Sequence, residues 1–289
     1  MTNILVIDDS PIDRKMIKLA LTSKLAEINL IEKDSVDNIH EILDTYQIDV
    51  CILDIMMPEK NGLDVLKDIK DNERYRDMPV IVCTGLDDIE IIEKSLMLGA
   101  YDCFFKPLGK KEITISLPLK VKNAIDLKKR NDEILYLSYH DNLTGLFNRR
   151  YLDEEIIKLQ SQKHLSISII IGDVDGLKVT NDVYGHEEGD QLLKTIAQIL
   201  REECRSGLVA RKGGDEFIVL FPDTDISIVR SIVQAIKDNC DRRNESPVKP
   251  SISLGYAMTY MNDQDINHVI KEAEDMMYLV KLGTGHSRM

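Results

Sequence analysis

A chain of 289 residues is long for one core, so two domains are expected. Its formal charge of −13 argues against a generic binder of nucleic acid or anionic membrane, which needs a basic face, and no apolar run approaches the roughly 18–20 residues that cross a bilayer. The start MTNILVIDDSP has no basic region ahead of an apolar core, and five cysteines without a C-x-x-C pair suit a reducing compartment, so a cytoplasmic protein is expected.

The first 110 or so residues alternate apolar runs with helical periods. Strands are predicted at NILVID, INLIEKD, VCILD, PVIVCTG and DCFFKP. The stretch PIDRKMIKLALTSKL is predicted as a helix that starts at Ser10-Pro11 and carries Ile12, Met16, Leu19 and Leu25 near one face. Such alternation implies an α/β domain, a doubly wound five-stranded parallel sheet, in which ligands sit beyond the carboxyl ends of the strands. Asp8 and Asp9, Asp54, Thr84 and Lys106 all fall at those ends. Converging carboxylates repel one another unless a hard divalent cation lies among them, and a hydroxyl with an ammonium completes a phosphoryl site. Taken singly, each residue reads more simply as a solvated strand tip; the five together read as a site.

These residues, with LDIMMPEKNG around Asp54 and Lys106-Pro107, resemble the receiver domains of two-component response regulators over positions 1–120. The resemblance implies that Asp54 accepts a phosphoryl group from a cognate histidine kinase. It implies one Mg²⁺ held by Asp8, Asp9, Asp54 and Met56, with Thr84 and Lys106 sensing the phosphoryl oxygens. Cys103 stands where that family usually places a switching Tyr or Phe.

Positions 121–138 read as a helical linker. Ile113, Leu117, Lys120, Ala124, Leu127, Asn131, Ile134 and Ser138 follow a short, imperfect heptad spacing, which suits either a seam between two copies or a solvated helix. Pro118 is expected to kink or break that helix.

In the remainder, positions 139–289, the apolar run Ile167 to Ile171 is a predicted strand that ends at Asp173, Val174 and Asp175. A glycine-containing polar stretch follows, and a helix begins near Glu187 with Leu192, Leu193, Ile196, Ile199 and Leu200 on one face. The segment ARKGGDEFIVLF places two glycines and two acids directly before an apolar run. It is a hairpin turn, or half of a metal site, or both. If Asp173 and Asp215/Glu216 lie side by side in an antiparallel sheet, they can share divalent metals, as nucleotidyl transfer requires.

HDNLTGLFNRR, DVDGLKVTNDVYGHEEGD, the intact GGDEF from Gly213 to Phe217, SISLGYA and AEDMMYLVK resemble the GGDEF family of diguanylate cyclases. The resemblance implies an α+β, adenylyl-cyclase-like domain that joins two GTP into cyclic di-GMP, with one GTP in each subunit of a homodimer. By motif position Asp173, the Val174 carbonyl and Asp215 would hold Mg²⁺, two ions per half-site, and Asp215 or Glu216 would take the proton of the attacking hydroxyl. Gly176, Leu177, Lys178 and Lys281 would hold phosphates, Gly213 and Gly214 would leave room for the ribose and α-phosphate, and Asn181 and Asp190 would read guanine. Leu177 replaces the family's usual Phe, and KLGTGHSRM replaces the usual arginine-bearing sequence after Lys281, with His286 and Arg288 the nearest substitutes. Cys204 and Gly207 occupy the positions of the product-inhibition motif, so no feedback through that site is expected. A module that binds GTP and signals through a protein partner without turnover is the alternative.

Overall fold

The apolar runs of the first half become β1 (Thr2–Ile7), β2 (Ile28–Lys33), β3 (Val50–Asp54), β4 (Val80–Gly85) and β5 (Asp102–Lys106). The computed structural model describes residues 1–58, 61–85, 89–106, 112–161, 166–243, 248–259 and 265–285, and divides into two units, Met1–Ile134 and Leu135–Met289. In the first unit the five strands pair in parallel in the order β2-β1-β3-β4-β5. Every residue of β3 is buried, as a strand covered on both faces requires. One face packs Leu5 and Leu53 against Ile42 and Leu43 of α2 (Ile39–Tyr46) and Leu66 and Ile69 of α3 (Gly62–Asp71); α4 (Ile89–Met97) precedes β5. The other face packs Ile4, Ile52 and Ile81 against α1 (Pro11–Lys24) and the first turns of α5 (Leu117–Tyr139).

Ser10 caps α1 as expected, its side chain accepting from Asp13 N, with Pro11 at the first helical position. The buried stripe of α1 differs from the predicted one. Ile17, Ala20 and Leu21 face the sheet, whereas Ile12 and Leu19 are 70% and 61% exposed. Two apolar stripes compete on this helix. The one that packs leaves Arg14 free to donate from Nη1 to the Asp8 carbonyl oxygen (2.5 Å) and keeps Asp13 at the strand ends.

The linker is absorbed differently from its heptad spacing. A π-helical turn at Glu112–Ser116 precedes α5, so Pro118 sits at the second residue of the α-helix, where its missing N–H breaks no helical bond. Leu117, Val121, Ala124 and Ile125 are buried on the sheet of the first unit, which consumes part of the seam. Ile134, Leu135, Tyr136 and Leu137 are exposed, and the division between units falls among them.

The second unit contains β6 (Phe147–Asn148), α6 (Arg149–Ser161), β7 (Ile167–Val174), α7 (Leu177–Tyr184), α8 (His186–Glu203), β8 (Leu208–Gly213), β9 (Glu216–Pro222), α9 (Ile226–Arg242), β10 (Ile252–Met258) and α10 (Ile266–Gly285). Its sheet runs β10-β7-β9-β8-β6, antiparallel except for the parallel β6–β8 edge. Ile170, Phe217, Val219 and Leu254 pack on α8 and α9, and Ile169, Ile218 and Leu220 pack on α6 and α10. Residues 177–184, within the glycine-containing polar stretch between the predicted strand and helix, form α7. Thr180 is its one buried residue, so no apolar stripe marks it, and Gly185 at φ +91° both ends α7 and starts α8. Among the described residues no helix is long and apolar enough to cross a membrane. All five cysteines are free, and burial pushes the thiols of Cys51 and Cys204 up to about 12 and that of Cys240 up to about 11.

Candidate functional site

The first unit gathers Asp8, Asp9 and Asp54 at the carboxyl ends of β1 and β3. One carboxylate oxygen from each lies within 4.8 Å of the others, a donor set that fits a hard divalent cation. Asp8 and Asp54 are buried and Asp9 is exposed, so the pocket opens on the Asp9 side. Lys106, from the end of β5, reaches Asp54 Oδ2 (2.7 Å), Asp8 Oδ2 (2.9 Å) and Asp13 Oδ2 (3.0 Å). Burial pushes the Asp8 carboxyl above its ordinary value although Lys106 opposes the shift. Burial also disfavours the charge on Lys106, but its hydrogen bonds to Asp54, Asp8 and Asp13 outweigh that and raise it. Thr84 is fully buried, and its Oγ1 has no hydrogen-bond partner among the described residues. Met56 donates its backbone N–H to Asp54 Oδ1 (3.1 Å) and thereby fixes the carboxylate. Asp13 was not anticipated from sequence; its signal was an acid in the first turn of a helix that begins two residues after the Asp8/Asp9 pair. Pro107 lies outside the described residues.

The second unit assembles around β7. Asp173 lies between Glu216 of β9 and Ser253 of β10 in register, and Val174 N donates to the Asp215 carbonyl oxygen (3.0 Å). The expected antiparallel neighbourhood of Asp173 with the GGDEF hairpin is therefore present. Lys281 of α10 reaches Asp173 Oδ1 (2.5 Å). Burial raises the Asp173 carboxyl; Lys281 opposes this, but the charges of Asp215 and Asp175 add to the rise. Lys281 is held above its ordinary value because the bond to Asp173 outweighs its desolvation. Its side chain is 43% exposed, so water screens what it gains, and the buried carboxylate decides the balance of the pair. Asp175 accepts from Ser251 Oγ (2.6 Å) and Ser253 Oγ (2.7 Å), which separates it from the acids left for a metal. Asp173, Asp215 and Glu216 do not form a trio as tight as that of the first unit, but two carboxylates with the Val174 carbonyl make an oxygen set of the kind Mg²⁺ takes.

At the hairpin tip Gly214 has φ +55°, a left-handed conformation that glycine adopts without strain, and a β-carbon on either Gly213 or Gly214 would meet nothing within 4 Å. The tip is thus both a turn and an open surface. Gly176 precedes α7, with Leu177 and Lys178 in its first turn, and Lys178 and Asp190 are exposed. Asn181 lies against Gly189 across the α7–α8 junction. His286 and Arg288 lie outside the described residues.

Two residues absent from the sequence reading brace this hairpin. Arg211 donates to the Gly214 carbonyl oxygen from Nε (3.0 Å) and Nη2 (2.7 Å), and from Nη1 to Asp141 Oδ1 (3.0 Å) and Oδ2 (3.3 Å). Asp141 also receives the Thr144 N–H (2.9 Å) and hydroxyl (2.7 Å). Burial works against the charged Asp141 carboxyl, yet the bonds from Thr144 and Arg211 hold it below its ordinary value. The available signal was an arginine two residues before the glycines and an aspartate in HDNLTG.

The family described as diguanylate cyclase, GGDEF domain, matches residues 138–286, and the response regulator receiver domain matches residues 4–117. The chain is similar to the response regulator PleD of Caulobacter vibrioides, 28% identical over 247 residues that cover 81% of this chain and 54% of PleD. It is similar also to the probable diguanylate cyclase DgcT of Escherichia coli, 32% identical over 161 residues, 53% of this chain and 35% of that protein. The chain thus spans about half the length, or less, of these curated relatives. A solved structure of the coiled coil and GGDEF domain of DgcB from Caulobacter crescentus, in complex with c-di-GMP, is 23% identical with a TM-score of 0.54, covers 60% of this chain and 95% of that one, and shares its fold.

Proposed function

The chain belongs to the diguanylate cyclase GGDEF-domain family, and on that premise we propose that it condenses two GTP into cyclic di-GMP and two pyrophosphates, under control of phosphorylation at Asp54. The observation that carries this reading is the meeting of Asp173, the Val174–Asp215 backbone contact and Lys281 beside an open glycine turn. Asp173, Asp215 and the Val174 carbonyl are the residues that would hold two Mg²⁺ in each half-site. When bound, Mg²⁺ neutralises charge on the attacking and leaving oxygens of an in-line displacement at phosphorus.

The chain's own residues do the rest. Asp215 or Glu216 takes the proton from the 3′-hydroxyl as its oxygen bonds to the α-phosphorus of the other GTP and the bond to pyrophosphate breaks. The reaction occurs twice, once from each nucleotide, to close the ring. Lys178, Lys281 and the N–H groups of Gly176 and Leu177 hold the phosphates. Asp190 accepts two parallel N–H bonds from guanine, donors that adenine lacks on that edge, and Asn181 assists. One GTP per chain means that two chains must face each other, so the active form is a homodimer.

In the first unit Asp54 is the phosphoacceptor for a histidine kinase, and Asp8, Asp9, Asp54 and the Met56 carbonyl would hold one Mg²⁺. Thr84 and Lys106 would then bind the phosphoryl oxygens. The support is a buried hydroxyl, that of Thr84, without a partner among the described residues, and an ammonium already in contact with Asp54. Phosphorylation would shift the population toward a dimer whose cyclase units can meet.

The test is production of cyclic di-GMP and pyrophosphate from GTP and Mg²⁺ by the full chain and by Asp215→Asn. Turnover lost in the variant supports the reading. Retained turnover refutes the metal and base assignment, and GTP bound without pyrophosphate by the unaltered chain favours a signalling module that does not catalyse.

A further inference from the structure

Gly189 is buried at the fourth position of α8, next to Asp190 and directly against α7. A β-carbon there would overlap Asn181 Oδ1, stand 2.9 Å from Asn181 Cγ and approach Leu177 Cδ1 to 3.3 Å. The obstructed atoms are side-chain atoms of α7. The second helix can therefore accept an alanine, a better helix former than glycine, if Asn181 swings away. With glycine in place, Asn181 lies in the notch that the missing side chain leaves, one residue along the helix from Asp190.

We infer that Gly189 is a positioning residue for nucleotide selection: it fixes the Asn181 amide beside the Asp190 carboxylate and so sets the spacing at which the two read one base. This rests on the proposed reading in which Asn181 and Asp190 recognise guanine. Gly189 touches no substrate. Its effect passes first through Asn181, whose amide a β-carbon would overlap, and only weakly through the flexible end of Leu177 at 3.3 Å; none of these contacts is to the metal carboxylates or the glycine turn.

The experiment compares the full-length chain with Gly189→Ala, Asn181→Ala and the double variant. It measures thermal melting and the affinity and turnover with GTP and with inosine triphosphate, which lacks the 2-amino group of guanine. Gly189→Ala is expected to melt no lower than the unaltered chain and to weaken GTP by about tenfold, the loss of one modest hydrogen bond. In this reading the Asn181 amide oxygen accepts the second hydrogen of the 2-amino group, which inosine triphosphate lacks, so that nucleotide is expected to change little and the preference for GTP falls; the double variant is expected to match Asn181→Ala with no further loss.

An unchanged GTP preference in Gly189→Ala overturns the inference, as does a double variant clearly worse than Asn181→Ala. If Gly189→Ala fails to fold, recovery of folding in the double variant supports the contact, and failure to recover overturns it. Asn181→Ala tests the underlying base assignment separately: if that variant keeps full GTP preference, the guanine reading itself fails.

Discussion

Lys281 Nζ stands 2.5 Å from Asp173 Oδ1, so a cation from the last helix lies on the carboxylate that ends β7. Burial and the neighbouring Asp215 and Asp175 nevertheless leave Asp173 above its ordinary value. For an acid this sign means that the fold binds the proton more tightly than the unfolded chain does. Folding then loses stability as pH rises from the unfolded value near 3.8 through the folded one, and the cost is present in full above that. Asp173→Asn is therefore expected to raise the melting temperature of the metal-free protein at neutral pH, with a gain that shrinks toward pH 4, and to abolish turnover. A melting series over pH in chelator checks it. A variant that melts lower at neutral pH would show that the ion pair with Lys281 dominates.

Arg211 binds the hairpin carbonyl and the Asp141 carboxylate with one planar fork. Lysine cannot reproduce that geometry. Arg211→Lys is expected to lower kcat by about tenfold or more while KM for GTP changes little, because the hairpin acids lose their placement and the base and phosphate contacts do not. Arg211→Ala is expected to cost about 2 kcal/mol of stability as well, since it removes the cation from a half-buried carboxylate that keeps only its bonds from Thr144. Steady-state kinetics and chemical denaturation separate the two effects.

Asp141 is held below its ordinary value, the opposite sign to Asp173. Its stabilising contribution is complete above the unfolded value near 3.8 and is lost as pH falls toward the depressed folded value. The stability gap between the unaltered chain and Asp141→Asn is therefore expected to be flat from about pH 5 to 8 and to narrow below about pH 4. A gap that instead widens in acid would contradict the assigned partners.

In the first unit, Lys106 is the cation in contact with Asp8, Asp13 and Asp54 together. Lys106→Ala is expected to destabilise that unit by about 2–3 kcal/mol, since buried carboxylates lose their counter-ion. Mg²⁺ should then stabilise the variant more than the unaltered chain, because the ion supplies the missing charge. Melting with and without Mg²⁺ measures the difference; an equal Mg²⁺ effect in both proteins would place the ion elsewhere.

Much of this organisation was legible before folding because strand ends in an α/β sheet are marked by composition. Asp8, Asp54, Thr84 and Lys106 each close an apolar run, and the topology brings those ends together. The Asp173–hairpin neighbourhood was legible for the same reason. What was hidden depended on choices among equivalent surfaces. Helix α1 carries two apolar stripes, and it is the Ile17–Ala20–Leu21 stripe that packs, which also brings Asp13 and Arg14 to the pocket. Helix α7 has no stripe to read. Leu117 and Ala124 fit a heptad, yet the sheet beside them is an equally good apolar partner, and periodicity does not name the partner. Arg211 and Asp141 are 70 positions apart, a separation no local pattern spans.

The most direct test of the central claim is the rate of cyclic di-GMP formation from GTP and Mg²⁺, with and without beryllofluoride as a phosphoryl mimic, in the unaltered chain and in Asp54→Asn. The mimic is expected to raise the rate by about tenfold or more in the first, through the gain in effective concentration of paired half-sites, and to leave the second unchanged. Equal rates with and without the mimic in the unaltered chain would contradict control of the cyclase through Asp54.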